Sequence, residues 1–130
     1  MNVQKKVLVV DDDPDILDQA ALVLKAGGYD VATVGSAADA EEFLNSTQPD
    51  LAIVDLMMEQ VDSGFVLCHQ IKKLYPDMPI IMLTAVRAST GLDFDAKTAE
   101  AKSWIKADCI LDKPARPEEL LNTVRKLLGA

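Results

Sequence analysis

The feature that most constrains the fold is a repeated alternation of short apolar runs with helical patterns. The first run, Lys5–Val10 (KKVLVV), is rich in β-branched residues and has the length of a strand buried on both faces. Because strand and helix patterns alternate along the chain, the strands are expected to run parallel, with helices on both faces of one sheet. An α/β fold is therefore predicted, with the other four strands at 30–34, 51–54, 79–83 and 109–111.

The helices are delimited by capping and stop signals. Asp13 followed by Pro14 is typical of an N-cap and a first helical turn, and the pair Gly27-Gly28 ends that helix. Ser36 is predicted to cap the second helix. Two further helices are predicted over 64–75 and 117–128.

The composition fits one domain of ordinary size. The chain has 130 residues, of which 49% are hydrophobic, so it can bury a normal core. A net charge of −8 argues against a nucleic-acid partner, because phosphate binding needs clustered Lys and Arg. No apolar run approaches the roughly 20 residues that span a bilayer, and Met1–Lys6 lacks the pattern of a signal peptide. A cytoplasmic protein without a membrane partner is expected.

Some apolar and polar side chains have ordinary structural interpretations. Leu74 is expected on the inner face of its helix, Cys68 and Cys109 are expected to be buried reduced thiols, and the single histidine, His69, is expected to be exposed. None of these has the spacing of a metal or catalytic site.

Polar side chains follow the predicted strands at their carboxyl ends. Asp11 and Asp12 come after the first strand, Asp55 after the third, Thr84 after the fourth, and Lys113 after the fifth. In an open parallel sheet the ligand crevice lies beyond these ends. We therefore expect carboxylates, a hydroxyl and an ammonium group to meet there.

Electrostatics predicts a cation at this edge. Carboxylates about 4 Å apart repel by roughly 4 kcal/mol per pair at an effective dielectric near 20, so they need a shared proton or a cation. Ligands that are all oxygen suit a hard cation, and Mg²⁺ is the candidate. A cation, an ammonium and a hydroxyl around a carboxylate suit a phosphoryl group, which the carboxylate would attack in line.

Four motifs carry a resemblance to a known family. In chain order, they are VLVVDDDPDI at 7–16, PDLAIVDLMM at 49–58, PIIMLTA at 79–85 and ILDKP at 110–114. Together they resemble the motifs of response-regulator receiver domains of two-component signalling, over essentially the whole chain. The resemblance implies a flavodoxin-like, doubly wound, five-stranded parallel sheet of order 2-1-3-4-5. It also implies that residues 1–130 form a single receiver domain with no output domain.

The resemblance implies a role for each site residue. Asp55 would accept a phosphoryl group from a phosphohistidine. Mg²⁺ would be held by Asp11, Asp12, Asp55 and the backbone carbonyl of Met57, while Thr84 and Lys113 would contact the phosphoryl group. The implied partners are a sensor histidine kinase or phosphotransfer protein and an unknown downstream protein, with the chain a monomer or weak dimer. Such a domain is phosphorylated by its partner and is not expected to be an enzyme.

The sequence departs from the family pattern in several loops. After Asp55, Glu59 replaces an expected Pro, and Ser63 separates Asp62 from Gly64. The segment between Thr84 and Lys113 is longer than usual, with the extra residues inside 87–106. Ile110 stands where an aromatic switch residue is common, so switching is expected to involve the long segment. Met57 and Val86 lie two positions beyond Asp55 and Thr84, and both are apolar. They could shield an acyl phosphate from water, so slow hydrolysis is predicted.

Three other functions are compatible with parts of the pattern. An FMN-binding protein would share the fold, but it needs a loop with free N–H groups where this chain has DDDPD. An aspartyl-phosphate phosphatase would place its nucleophile after the first strand and would need a cap. A pseudo-receiver would act only through protein contact, independently of phosphorylation.

Overall fold

Parallel strands alternate with helices from residue 6 to residue 84 of the structure, a computed structural model that describes residues 5–55, 63–84, 109–112 and 116–129. Its strands are β1 (Lys6–Val10), β2 (Asp30–Val34), β3 (Leu51–Asp55), β4 (Ile80–Thr84) and β5 (Cys109–Asp112). Its helices are α1 (Pro14–Ala26), α2 (Ala37–Ser46), α3 (Ser63–Leu74) and α4 (Pro117–Leu128).

The five strands form one parallel sheet in the order β2-β1-β3-β4-β5. This is the flavodoxin-like order, and it confirms the predicted fold class. The chain starts in an inner strand, moves outward to β2, and then crosses back to β3, β4 and β5. The point where this direction reverses lies between β1 and β3, which pair with each other.

Alternate residues of the strands feed two separate core layers. Val7 and Val9 belong to a layer that α1 and α4 cover, whereas Leu8 and Val10 belong to a layer that α2 and α3 cover. All four side chains are essentially inaccessible to solvent. The central strands are therefore buried on both faces, which explains why their sequences are continuous apolar runs rather than alternating patterns.

The predicted helix signals are confirmed. The side chain of Asp13 accepts a hydrogen bond from the backbone N–H of Asp15 at 2.9 Å, and Ser36 Oγ accepts one from the N–H of Asp39 at 3.1 Å. At the end of α1, Gly28 has a φ of 95°, a left-handed conformation that other residues rarely adopt. These caps fix where both helices meet the sheet.

Four of the five predicted strands were wrong by one residue at an end, including β1, which begins at Lys6, and β5, which continues through Asp112. β3 continues through Asp55, which pairs with Leu83, so the acid is the last residue of the strand and not the first after it. β4 begins at Ile80 and ends at Thr84. Pro79 is outside the strand because it has no N–H for the ladder, although its carbonyl accepts the N–H of Ala52 at 3.1 Å.

Three further expectations needed correction. α3 spans Ser63–Leu74 and so stops before Tyr75, which precedes Pro76; a proline disfavours the helical conformation of the residue before it. Leu74 lies on the outer side of the helix and is 51% exposed. Cys68 is buried as predicted and His69 is exposed, but Cys109 is only half-buried, since β5 is at the edge of the sheet. No helix in the described part of the chain is long and apolar enough to cross a membrane.

Candidate functional site

The strand register brings Asp11 beside Asp55. Val10 of β1 pairs with Val54 of β3, so the next residues of the two strands, Asp11 and Asp55, fall in the same row. Asp11 extends the ladder on its other side, because its N–H donates to the carbonyl of Val34 at 3.2 Å. The backbone of the sheet itself therefore positions the two acids at the carboxyl edge.

Asp11 and Asp55 are both removed from solvent. Their exposed fractions are 0% and 4%, and they are the buried charged residues of the described core. One oxygen of Asp11, Oδ1, accepts a hydrogen bond from the backbone N–H of Asp13 at 2.9 Å. This bond fixes the rotation of the Asp11 carboxylate relative to the start of α1.

A third acid, Asp12, completes an acidic cluster. One carboxylate oxygen from each of Asp11, Asp12 and Asp55 lies within 4.8 Å of the others, and Asp12 is the exposed member. Two charges 4.8 Å apart repel by roughly 3.5 kcal/mol at an effective dielectric near 20. For the two buried carboxylates water screens this repulsion poorly, so the cluster favours a bound cation.

The donor set fits Mg²⁺. All three available side-chain ligands are carboxylate oxygens, which hard divalent cations prefer, and no sulfur or imidazole belongs to the cluster. Asp12 is the exposed ligand of the three, and hard divalent cations also take water and phosphoryl oxygens as ligands. The cluster gathers Asp11, Asp12 and Asp55, which are three of the four metal ligands expected from the sequence.

The backbone also places Thr84 at the same edge. Leu83 pairs with Asp55, and Thr84 is the next residue of β4. Thr84 in turn pairs with Asp112 of β5, which Lys113 follows directly in the sequence. The chain path thus brings the Thr84 position close to the acidic cluster.

Several predictions lie outside the described residues. They concern Met57 as a carbonyl ligand, Glu59 in the following loop, Val86 as a shield, Lys113 as the phosphoryl contact, and the long segment 87–106. Each of them stays a prediction.

The sequence pattern did not reveal the contribution of the Asp13 backbone. The Asp-Pro pair identified its side chain as the α1 cap, but its N–H bond to Asp11 depends on how the chain turns out of β1. A run of three acids followed by proline is compatible with this geometry and does not require it.

Comparison with known proteins points to one family. Residues 7–125 match the response regulator receiver domain family. Among curated proteins, the chain is 35% identical over 127 residues to the DNA-binding dual master transcriptional regulator RpaA of a Synechocystis species, and covers 48% of it. It is 38% identical over 122 residues to the heme response regulator HssR of Staphylococcus aureus, and covers 50% of it. The matches span 95% and 93% of this chain, respectively. The chain thus spans about half the length of these relatives.

Solved structures agree over nearly the whole chain. A response regulator from Chloroflexus aurantiacus is 32% identical, with a TM-score of 0.83, and the match covers 98% of this chain and all of the other. The chemotaxis response regulator CheY4 of Vibrio cholerae is 28% identical, with a TM-score of 0.82, over 97% of this chain and 100% of the other. These TM-scores show that the chain shares its overall fold with both proteins.

Proposed function

Because the chain belongs to the response-regulator receiver domain family, we propose that it accepts a phosphoryl group on the carboxylate of Asp55. The observation that supports this most strongly is the placement of Asp55 itself. It is a 4%-exposed acid at the end of a central strand, grouped with two other acids at the edge where parallel sheets bind ligands. Like charges this close repel one another, so a bound cation would stabilise the cluster.

Asp11, Asp12 and Asp55 are proposed to hold Mg²⁺, together with the backbone carbonyl of Met57. When bound, the ion neutralises charge on the equatorial phosphoryl oxygens. The three carboxylates would hold the ion, and the hydrogen bond from the Asp13 N–H would limit reorganisation of Asp11 during the transfer. Thr84 is proposed to donate its hydroxyl to the phosphoryl group, and Lys113 to pair with it.

The transfer is a nucleophilic displacement at phosphorus. One oxygen of the Asp55 carboxylate forms a bond to phosphorus while the bond between phosphorus and the donor nitrogen breaks. The electron pair of that bond stays on the imidazole of the donor, which takes a proton from solvent. A carboxylate nucleophile needs no general base, because the attacking oxygen has no proton to lose.

The proposed phosphodonor is a sensor histidine kinase or a phosphotransfer protein, and the proposed output is contact with a downstream protein, with the chain a monomer or weak dimer. The name of RpaA describes a DNA-binding protein. So does the name of MtrA, a response regulator from Mycolicibacterium smegmatis that is 30% identical to this chain. This chain covers about half of each relative, so their DNA binding does not mean that these 130 residues bind DNA. With a net charge of −8, we propose that this segment itself binds no nucleic acid and works as a single receiver domain in the cytoplasm.

The test is the intact mass of the protein after incubation with acetyl phosphate and MgCl₂. One phosphoryl adduct is expected, with none in the Asp55→Asn variant and none when EDTA replaces the metal. Asp50→Asn is the matched control, because Asp50 is an exposed acid that directly precedes β3, at the end opposite to Asp55. It should form the adduct like the native protein.

A second donor makes a negative result informative. If acetyl phosphate gives no adduct, a purified phosphorylated histidine kinase domain or phosphotransfer protein is supplied as the donor. Absence of phosphorylation with both donors would contradict the proposal and would favour the pseudo-receiver, in which the same surface acts by protein contact alone.

A further inference from the structure

Asp13 connects the acidic cluster to the first helix through several hydrogen bonds. Its backbone N–H donates to Asp11 Oδ1 at 2.9 Å, while its own side chain accepts from the N–H of Asp15 at 2.9 Å. Its carbonyl accepts from the N–H groups of Ile16 and Leu17, each at 3.1 Å. One residue therefore holds a metal-side carboxylate and the first turn of α1 at the same time.

The two bonds depend on a single backbone conformation. Asp13 has φ −97° and ψ 111°, the extended geometry of an N-cap, and its side-chain bond to Asp15 stabilises that geometry. If the side-chain bond is lost, the first turn frays and the direction of the Asp13 N–H is no longer fixed. The carboxylate of Asp11, which is fully buried, then has a less well oriented hydrogen bond from the Asp13 N–H.

The helix to which Asp13 is attached is firmly packed. Leu24 of α1 is fully buried in the layer shared with α4, and Ala20 is 6% exposed. A methyl group at Gly27 would lie 2.5 Å from Leu121 Cδ2, which shows how closely α1 approaches α4. A carboxylate that is hydrogen-bonded to the start of this helix is held by a packed element and does not rely on the loops after β3 and β4 for its position.

The charge of Asp13 has a separate effect. The N-terminus of a helix carries a partial positive charge, which is unfavourable next to a cation. A carboxylate at the cap offsets that positive charge. A neutral oxygen that accepts the same N–H bond also offsets it, but to a smaller extent. Replacement by Asn therefore separates positioning from charge, because Asn caps a helix as well as Asp does.

We propose that Asp13 is a positioning residue for Mg²⁺ binding, acting through the orientation of Asp11 and not as a ligand. This inference rests on the proposed function of the acidic cluster. It assigns to the third acid of the DDDP run a role in the affinity for the cation, in addition to its role as a helix cap.

The experiment is calorimetric titration of the folded protein with MgCl₂. Asp13→Ala should weaken Mg²⁺ binding by about tenfold, the smaller effect seen when a residue that orients a metal ligand is removed. Asp13→Asn should stay within about twofold of the native protein, because the cap is retained. The readout is the dissociation constant itself and is independent of phosphorylation.

Ser36→Ala is the matched control for loss of a helix cap. Ser36 caps α2 through a 3.1 Å bond to the N–H of Asp39, in the same way that Asp13 caps α1. Both alanine variants should lower stability to urea by similar amounts, but Ser36→Ala should leave the Mg²⁺ dissociation constant within about twofold. If Asp13→Ala does not fold, Asp13→Gly replaces it, since glycine is tolerated at N-caps at small cost while removing the side-chain oxygen.

The possible results separate this inference from the proposed function. Equal weakening by Asp13→Asn and Asp13→Ala would mean that only charge matters, and unchanged affinity in the alanine and glycine variants would mean that the cap does not matter. Either result overturns the role of Asp13 while leaving Mg²⁺ binding intact. Absence of Mg²⁺ binding by the native protein would instead contradict the proposed function.

Discussion

The two ends of the sheet use the same kind of residue in opposite ways. At the amino edge, Asp50 Oδ2 accepts the backbone N–H of Lys6 at 2.8 Å, and Asp30 Oδ2 lies 3.6 Å from Lys6 Nζ. These acids are exposed, and each has a partner of complementary charge or polarity. At the carboxyl edge, two buried acids and one exposed acid lie within 4.8 Å of each other.

The difference is between acids with partners at the amino edge and acids that we propose bind a cation at the carboxyl edge. An exposed ion pair contributes about 0 to 1 kcal/mol, so the amino edge adds little stability and loses little when it is changed. A group of like charges is unfavourable without a counter-charge, so if the proposed cation site is correct, the carboxyl edge lowers the stability of the metal-free protein. Variants at the two edges should therefore differ in sign as well as in size.

The largest expected effect is on the rate of phosphorylation. Asp12→Ala removes a proposed Mg²⁺ ligand and should lower the initial rate with acetyl phosphate by roughly 100-fold. This is the upper end of the effect expected when a residue that only orients a metal ligand is removed. Asp30→Ala, an exposed acid at the amino edge, should have no effect on the rate. Initial rates by intact mass at a fixed MgCl₂ concentration provide the measurement. Equal rates for the two variants would remove the distinction between the edges.

Mg²⁺ itself should stabilise the folded chain. At a free concentration of 100 times the dissociation constant, the free energy of unfolding should rise by about 2.7 kcal/mol. The increase should be lost in a variant that combines Asp11→Asn with Asp12→Asn. Urea unfolding with MgCl₂ or with EDTA measures it, and matched ionic strength in NaCl serves as the control. An equal increase in NaCl would indicate general screening and no specific site.

Removal of the acceptor charge should stabilise the metal-free protein. Asp55→Asn keeps the shape of the side chain and relieves its repulsion with Asp11, so the free energy of unfolding in EDTA should rise by about 1 to 3 kcal/mol. In contrast, Asp50→Ala should lower it by about 1 kcal/mol, because the N–H of Lys6 loses its acceptor. A loss of stability in Asp55→Asn would show that the cluster supports the fold.

The smallest effect is expected for the ion pair at the amino edge. Lys6→Gln should change the free energy of unfolding by less than about 1 kcal/mol, because the pair is exposed and screened. The change should shrink further in 1 M salt, where the Debye length is about 3 Å. Urea unfolding at low and high NaCl tests this. A larger change that persists in high salt would mean that the amino edge contributes more than a surface pair.

The sequence was sufficient to predict the sheet, because its signals are local. Continuous apolar runs such as Lys5–Val10 identify strands buried on both faces, and the caps at Asp13 and Ser36 define where helices begin. The order of the strands came from the four motifs together and not from periodicity. The grouping of Asp11, Asp12 and Asp55 followed from the strand ends, and the structure brings these three together.

Other features depend on register and tertiary contact, which sequence patterns do not determine. Asp55 belongs to β3 because Leu83 pairs with it across the sheet, and nothing in the local sequence requires that pair. Leu74 fits an inward stripe by spacing, but it is 51% exposed at the end of α3. The bond from the Asp13 N–H to Asp11 is a consequence of the turn after β1, so only the structure reveals it.

The most direct test of the central claim identifies the phosphorylated residue chemically. The protein is incubated with acetyl phosphate and MgCl₂ and then treated with sodium borohydride, which reduces an aspartyl phosphate to homoserine. Peptide mass spectrometry should find homoserine at position 55 alone, and only when Mg²⁺ was present. Homoserine at another aspartate, or conversion of Asp55 to the same extent in EDTA, would contradict the assignment of the acceptor or of the metal.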